Sequence, residues 1–343
     1  MKLEFLAGDE KRFAEFISNL DEGDKIAILS HNDLDGLCSA VIASKVLGKI
    51  DYLKFMAYDY NMMKEVAIEL KKKKINKLFV FDLVLDSEAE SVLEISKFAE
   101  IVYIDHHQFE KDFNSDRIVM IKTRTEEPAS FACYYLFSKI QKIHSWIAAL
   151  GIISDRVDKY NEKNCKEVFR DFSLEGCEDL WKVVEDTNFA LIYFRDNEEK
   201  LFDMFARVKN SRDISLGKYA MIVEKETNKV LSDFEKNHEK HGDLKIYFFK
   251  SKFSLSSIVS TILSIKRYQD NTIVILADYG SHIKVSARNS HSKVNCVELL
   301  KRAMKNIPKS NSGGHIPAAG GEIPHKYLSQ FKKNLIKVYD KLK

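Results

Sequence analysis

Cysteine is scarce in this sequence and follows no ligand or cross-link pattern. Cys38, Cys133, Cys165, Cys177 and Cys296 are odd in number, widely scattered and form no CxxC pair. Neither a disulfide framework nor a structural zinc site is indicated, and a reducing cytoplasm is the expected setting. No N-terminal stretch has the basic, apolar and small-residue order of a signal peptide, and no uninterrupted apolar run approaches the roughly 18 residues that span a bilayer. A soluble chain with no membrane partner is expected. Internal repeats and low-complexity tracts are also missing. With 343 residues, 45% of them hydrophobic, neither disorder nor a fibrous fold fits, and two domains are the natural expectation.

Net charge is small, at +3, but unevenly distributed. Residues 1–242 carry 36 Lys and Arg against 45 Asp and Glu, a net of −9, whereas residues 243–343 carry 18 against 6, a net of +12. Such a division suits a C-terminal part that meets a polyanion and an N-terminal part that holds cations.

The hydrophobic pattern alternates between two periods. Short β-rich runs at 24–31, 51–59, 77–83 and 100–107 are separated by helical patterns over 37–48, 61–74 and 87–99, with further helices at 128–142 and 144–155. Strand alternating with helix predicts an α/β fold with a parallel sheet covered on both faces. From 162 to 240 the pattern is helical and heavily charged, with no Pro and Gly only at Gly176 and Gly217. A second β-rich region has strands at 243–250, 271–280 and 282–290, helices at 254–267 and 294–306, and a Gly-rich turn at 312–321. The expected organisation is a catalytic domain at 1–185, a helical linker at 186–242, and a smaller α/β domain at 243–343. Lys71 to Lys74 read as a solvated helix face. Tyr134, Tyr135, Phe248 and Phe249 read as core, and His144, Trp146 and Trp181 as packing residues.

Functional residues in parallel sheets gather at the carboxyl ends of the strands. The first strand delivers His31-Asn32-Asp33-Leu34-Asp35-Gly36, and in an extended segment His31, Asp33 and Asp35 would share one side. Asp82 terminates the apolar run LFVF, Asp105-His106-His107 terminates IVYI, and Asp155 ends the apolar helix GIIS. Any one of these, taken alone, reads as a turn or a cap; together they converge. Several carboxylates gathered without cations would repel, so bound divalent metal is the economical reading, and mixed imidazole and carboxylate ligands suit manganese, iron or zinc better than calcium. Two such ions would support hydrolysis of a phosphate ester.

HNDLDG at 31–36, Asp82, DHH at 105–107 and Asp155 resemble the four motifs of the DHH phosphoesterase superfamily, and VSARNS with SGGHIPAAGG resembles the DHHA1 domain that often follows. The HxDxDG form is more similar to RecJ-type exonucleases, especially the archaeal RecJ-like proteins, than to oligoribonucleases. The resemblance implies two Mn2+ ions, with Mg2+ or Co2+ as substitutes. One ion would be held by His31, Asp33 and Asp82, the other by Asp35, Asp82, His106 and Asp155, with Asp82 as the bridge. It further implies that His107 contacts phosphate or supplies an acid, and that Asp105 orients a histidine. In the second domain Arg288, Asn289, Gly313, Gly314 and His315 would bind the substrate backbone. The family's triple glycine is here Ser312-Gly313-Gly314.

The activity expected from this resemblance is exonucleolytic degradation of single-stranded DNA or RNA to mononucleotides. Hydrolysis of short oligonucleotides or a cyclic dinucleotide is the first alternative. A non-catalytic scaffold in replication or repair is the second, and a replication or helicase partner is compatible with catalysis.

Overall fold

The computed structural model describes residues 3–57, 62–155 and 177–342. Cys165 with the rest of 156–176, and the junction of the expected 51–59 strand and 61–74 helix, lie outside the described residues. The chain divides into two compact units, Met1–Ala220 and Met221–Lys343.

The first unit is built on five parallel strands: β1 (Ile26–His31), β2 (Tyr52–Met56), β3 (Lys77–Phe81), β4 (Glu100–Asp105) and β5 (Ile118–Lys122), in the spatial order β2-β1-β3-β4-β5. The helices in chain order are α1 (Glu10–Ser18), α2 (Leu34–Leu47), α3 (Met62–Lys72), α4 (Ala89–Ser96), α5 (Ala129–Phe137), α6 (Trp146–Ser154), α7 (Cys177–Tyr193) and α8 (Glu199–Arg207). Successive strand residues face opposite ways. Ile28, Phe79, Phe81, Val102 and Ile104 therefore join one core with α2, α5 and α6, while Ala27, Leu29, Leu78, Val80, Ile101 and Tyr103 join a second with α3 and α4. Burial on both faces explains why these strands read as continuous apolar runs.

Helix α2 begins where the Asp33 carboxylate accepts the Gly36 N–H at 2.9 Å, and the chain leaves it at Gly48 with φ 68°. It is buried almost throughout because the sheet lies on one side and α5, α6 and α8 pack around it. Helices α7 and α8 pack on the first unit, so residues 186–220 of the segment read as a linker belong with that unit. Strand β5 and helix α1 are additions to the elements read from the sequence.

The second unit contains α9 (Gly217–Asn237, shared with the first unit at its start), β6 (Glu239–His241), β7 (Leu244–Lys250), α10 (Ser256–Ile262), β8 (Thr272–Asp278), β9 (His282–Arg288), α11 (Cys296–Ala303), β10 (Asn311–His315), β11 (Ala318–Pro324) and α12 (Leu328–Leu342). Its sheet runs β10-β11-β9-β8-β7-β6, with β7 and β8 parallel and the remaining pairs antiparallel. Helices α11 and α12 bury Leu299, Leu300, Phe331 and Leu335 against Ile246, Leu276 and Val285.

The segment 312–321 is a β-hairpin rather than a Gly-rich turn, with only Ile316 and Pro317 at its tip. Two of its glycines serve close strand approach: a Cβ on Gly314, whose φ is +132°, would lie 2.4 Å from the Ala318 carbonyl oxygen, and one on Gly321 2.4 Å from that of Asn311. Two packing assignments also change. Trp146 is buried, but His144 is exposed and Trp181 is 42% exposed. Lys71 to Lys74 are exposed.

Gly151 marks the closest approach of α6 to its neighbours. A Cβ there would stand 2.1 Å from Ser130 Oγ and 2.6 Å from Asp35 Oδ1. Gly151→Ala is expected to lower stability by about 1–3 kcal/mol, as overpacking of a filled interior does; a shift of the urea midpoint at unchanged slope would show it, and an unshifted midpoint would refute the packing argument.

Candidate metal centre

The strand order reverses direction between β1 and β3, and a crevice outside the carboxyl ends of the strands opens at such a point. His31 is the last residue of β1, Asp82 follows β3 directly, and Asp105 ends β4. The sequence expectation of one extended HxDxD segment is corrected here: only His31 is on a strand, Asp33 caps α2, and Asp35 lies in the first turn of that helix. The turn brings the two aspartates back toward β3 and β4, which period-two spacing alone would not do.

Asp82 lies at the middle of the cluster. Its carboxylate is 1% exposed and sits 3.5 Å from His31 Nδ1, 3.4 Å from His106 Nε2 and 3.7 Å from His107 Nδ1. Its backbone is in the left-handed region, φ 58°, held there by its N–H donating to the Ile104 carbonyl at 3.0 Å. Non-glycine residues carry that conformation at a cost, and such strain is concentrated at functional sites.

Asp35 is fully buried and reaches the amino end of α5, where its two oxygens accept the Ala129 N–H at 2.8 Å and the Ser130 N–H at 3.0 Å. A carboxylate at a helix N-terminus satisfies donors that the helix leaves unpaired. Burial, then the charge of Asp82, nevertheless push its pKa up to about 7. Asp155, at the carboxyl end of α6, is likewise held well above the usual carboxylate range by burial and the Asp35 and Asp33 charges.

His106 Nδ1 lies 2.9 Å from the Thr125 carbonyl oxygen, so that nitrogen carries the proton and donates. Its other nitrogen, Nε2, faces Asp82 at 3.4 Å, Asp155 at 3.5 Å and Asp35 at 4.0 Å. A ring whose Nδ1–H is anchored on a carbonyl while its Nε2 faces carboxylates has the arrangement of a metal-ligating histidine.

The donor set fits divalent metal. Ligating atoms of His31, Asp33 and Asp82 lie within 4.8 Å of one another, as do those of Asp35, His106 and Asp155, and those of Asp82, Asp105, His106 and His107. The four carboxylates of Asp33, Asp35, Asp82 and Asp155 with the imidazoles of His31 and His106 suit a transition-metal divalent cation, whose charge would relieve the repulsion that raises Asp35 and Asp155.

Asp105 is placed differently. Its Oδ1 accepts from His107 Nδ1 at 2.8 Å and its Oδ2 from the Lys122 ammonium, while the Tyr103 hydroxyl, 3.1 Å from Oδ2, donates to the Leu83 carbonyl at 2.5 Å. Burial would raise its pKa, but the His107 hydrogen bond and the charges of His107, Lys122 and His106 outweigh that and hold it well below the carboxylate range. Lys122, fully buried at the end of β5 in register with Asp105, is absent from the residues expected from the sequence. Its signal was present: IVMIK is a third apolar run ending in a charged residue, like LFVFD and IVYID.

In the second unit, register aligns His315, Ala318 and Arg288 across β10, β11 and β9, so their side chains share a face. Arg288 donates to the Ser257 hydroxyl at 3.2 Å and to the Ala287 carbonyl at 3.0 Å. Gly313, Gly314 and His315 are exposed on the edge strand. Asn289 is 2% exposed and braces its own turn, donating to Thr272 Oγ1 and accepting the Lys293 N–H, both at 2.9 Å.

Residues 25–173 match the family model described as DHH family, N-terminal domain, and residues 246–342 match that of the DHHA1 domain. In fold the chain is similar to RecJ in complex with Mn2+ from Thermus thermophilus, at 14% identity and TM-score 0.70, over 100% of this chain and 56% of that one. It thus spans little more than half the length of that relative. It is also similar to an exonuclease RecJ bound to manganese, at 15% identity and TM-score 0.67, over 100% and 96% of the two chains. A third similar structure is PggH, a pGpG-specific phosphodiesterase from Vibrio cholerae, at 14% identity and TM-score 0.52, over 93% and 100%. No curated protein matches the chain in sequence. With both family models matched in order along its length, and the DHH motifs gathered at one sheet edge, the chain belongs to the DHH/DHHA1 phosphoesterase superfamily.

Proposed function

We propose that this chain is a manganese-dependent phosphodiesterase that degrades single-stranded DNA or RNA from an end to mononucleotides. The observation that carries the reading is the position of Asp82, a buried carboxylate within 3.7 Å of three histidine nitrogens and shared between two potential ligand groups. His31, Asp33 and Asp82 would hold one ion, and Asp35, His106 and Asp155 with Asp82 the other. Bound ions of this kind supply a nucleophilic water at neutral pH and neutralise charge on the phosphoryl oxygens.

The protein's own groups define the rest. The α5 amides fix Asp35, the Thr125 carbonyl fixes the His106 tautomer, and Asp105 fixes His107, which is placed to meet the phosphate or give a proton to the leaving oxygen. Arg288 and His315, which share a face beside the exposed edge at Gly313 and Gly314, would offer donors for a phosphate backbone. The +12 charge of residues 243–343 favours a long polyanion. Similarity in fold to RecJ supports the exonuclease, and that to PggH, whose whole length is matched, supports a dinucleotide phosphodiesterase as the second reading.

End-labelled single strands and dinucleotides assayed side by side test these readings. Mononucleotide ladders from long strands, weakened by salt, are expected; cleavage of dinucleotides alone would transfer the assignment to the second reading, and no cleavage of either would end both. Asp82→Ala and His106→Ala are each expected to lower turnover by about a hundredfold or more, exceeding the usual effect of removing an outer partner of a metal ligand.

Metal binding is testable without turnover. Mn2+ at a hundredfold its Kd is expected to stabilise the chelator-treated protein by about 2.7 kcal/mol, and Asp82→Ala to abolish most of that gain in a thermal melt. Arg288→Ala is expected to raise KM for single strands about tenfold or more, with little change in kcat, because a charge-assisted phosphate contact is lost.

A further inference from the structure

We infer that Lys122 is a positioning residue for the phosphodiesterase reaction: it commits the Asp105 carboxylate to His107 and so sets the tautomer and angle of that ring. This inference rests on the proposed activity only for its effect on turnover.

The geometry is specific. Lys122 and Asp105 are both fully buried and directly opposed across β4 and β5. The Lys122 ammonium donates to Asp105 Oδ2 and, at 3.3 Å, to the main-chain carbonyl of His107. One cation therefore grips the carboxylate before His106 and the backbone after it. Its position is fixed by the rings of Tyr103 and Phe109, whose centroids lie 5.0 and 5.4 Å from the nitrogen. With Oδ2 held by Lys122, Asp105 presents Oδ1 to His107 Nδ1 at 2.8 Å. A carboxylate without a proton only accepts, so His107 must carry its hydrogen on Nδ1 and direct Nε2 away from Asp105.

The alternative arrangement shows what the lysine prevents. Asp105 has an oxygen within 4.8 Å of ligand atoms of Asp82, His106 and His107. Released from Lys122, the carboxylate could turn about its side chain toward the metal set and give up its hydrogen bond to His107 Nδ1. A buried ammonium is a costly way to fill space; in this place it divides the two histidines of the DHH segment between different partners, Thr125 for His106 and Asp105 for His107.

Lys122→Met, similar in length and uncharged, provides the test. It is expected to lower kcat about 10–100-fold, the usual cost of losing such an outer partner, while KM and the Mn2+ concentration for half-activity stay within about twofold. In a His107→Ala background the same substitution should cost no more than about twofold further, because the ring it positions is gone. An undiminished loss in that background would overturn the inference and make Lys122 merely structural.

Nitrogen-15 spectra of histidine-labelled protein give a readout independent of activity. His107 is expected in the Nδ1–H form in the wild type and as mixed tautomers in Lys122→Met; an unchanged single tautomer would refute the inference whether or not the enzyme cleaves nucleic acid. Should Lys122→Met not fold, Lys122→Met/Asp105→Asn, which leaves no buried charge unpaired, takes its place with the same expected loss of kcat and of the single tautomer. Full activity and an unaltered tautomer in the double variant would equally overturn it.

Discussion

Mutual repulsion among Asp33, Asp35, Asp82 and Asp155 is the constraint around which the first unit is arranged. Anions brought this close in a poorly solvated site must be compensated or protonated. The fold compensates part of the charge with its own dipoles: the amino end of α5 at Asp35 and the Gly36 N–H at Asp33. The rest is left to histidines and to cations. That division accounts for Asp35 and Asp155 being pushed upward, while Asp105, hydrogen-bonded by His107 and faced by the charges of His107 and Lys122, is held down. Asp105 and Asp33 are compensated by protein groups, His107 with Lys122 for the first and His31 with the Gly36 N–H for the second, whereas Asp35 and Asp155 are compensated only in part.

Much of the first unit was legible in the sequence because burial on both faces makes parallel strands plain, and because a polar residue ending an apolar run marks a strand's carboxyl end. His31, Asp82 and Asp105 were found by that signal. Asp33 and Asp35 were found for an incorrect geometric reason: they approach β3 through a helix turn, not along an extended segment. Strand β5 was missed because no helical pattern separates it from β4, and Lys122 was missed with it, since a lysine after an apolar run reads as solvent-facing when the strand is not recognised.

In the second unit the glycines misled for a physical reason. Gly313, Gly314, Gly320 and Gly321 read as a turn, yet they form a hairpin, where the absence of side chains at Gly314 and Gly321 lets paired backbones approach closely. Composition cannot separate a glycine needed for its dihedral angles from one needed for its lack of volume; Gly314 is both. The pairing of Arg288 with Ala318 and of Ala318 with His315 depends on register, which a single strand's pattern does not reveal.

The order β2-β1-β3-β4-β5 also has a meaning during synthesis, when the chain emerges from its amino end. A nascent chain that has just passed β3 already contains His31, Asp33, Asp35 and Asp82, but not β4, whose Ile104 carbonyl holds Asp82, nor α5, whose amides receive Asp35. Three of the four repelling carboxylates are made before the groups that hold them. A chain cut short before β4 therefore carries Asp33, Asp35 and Asp82 without the carbonyl and amides that gather two of them, and Asp155 follows after both.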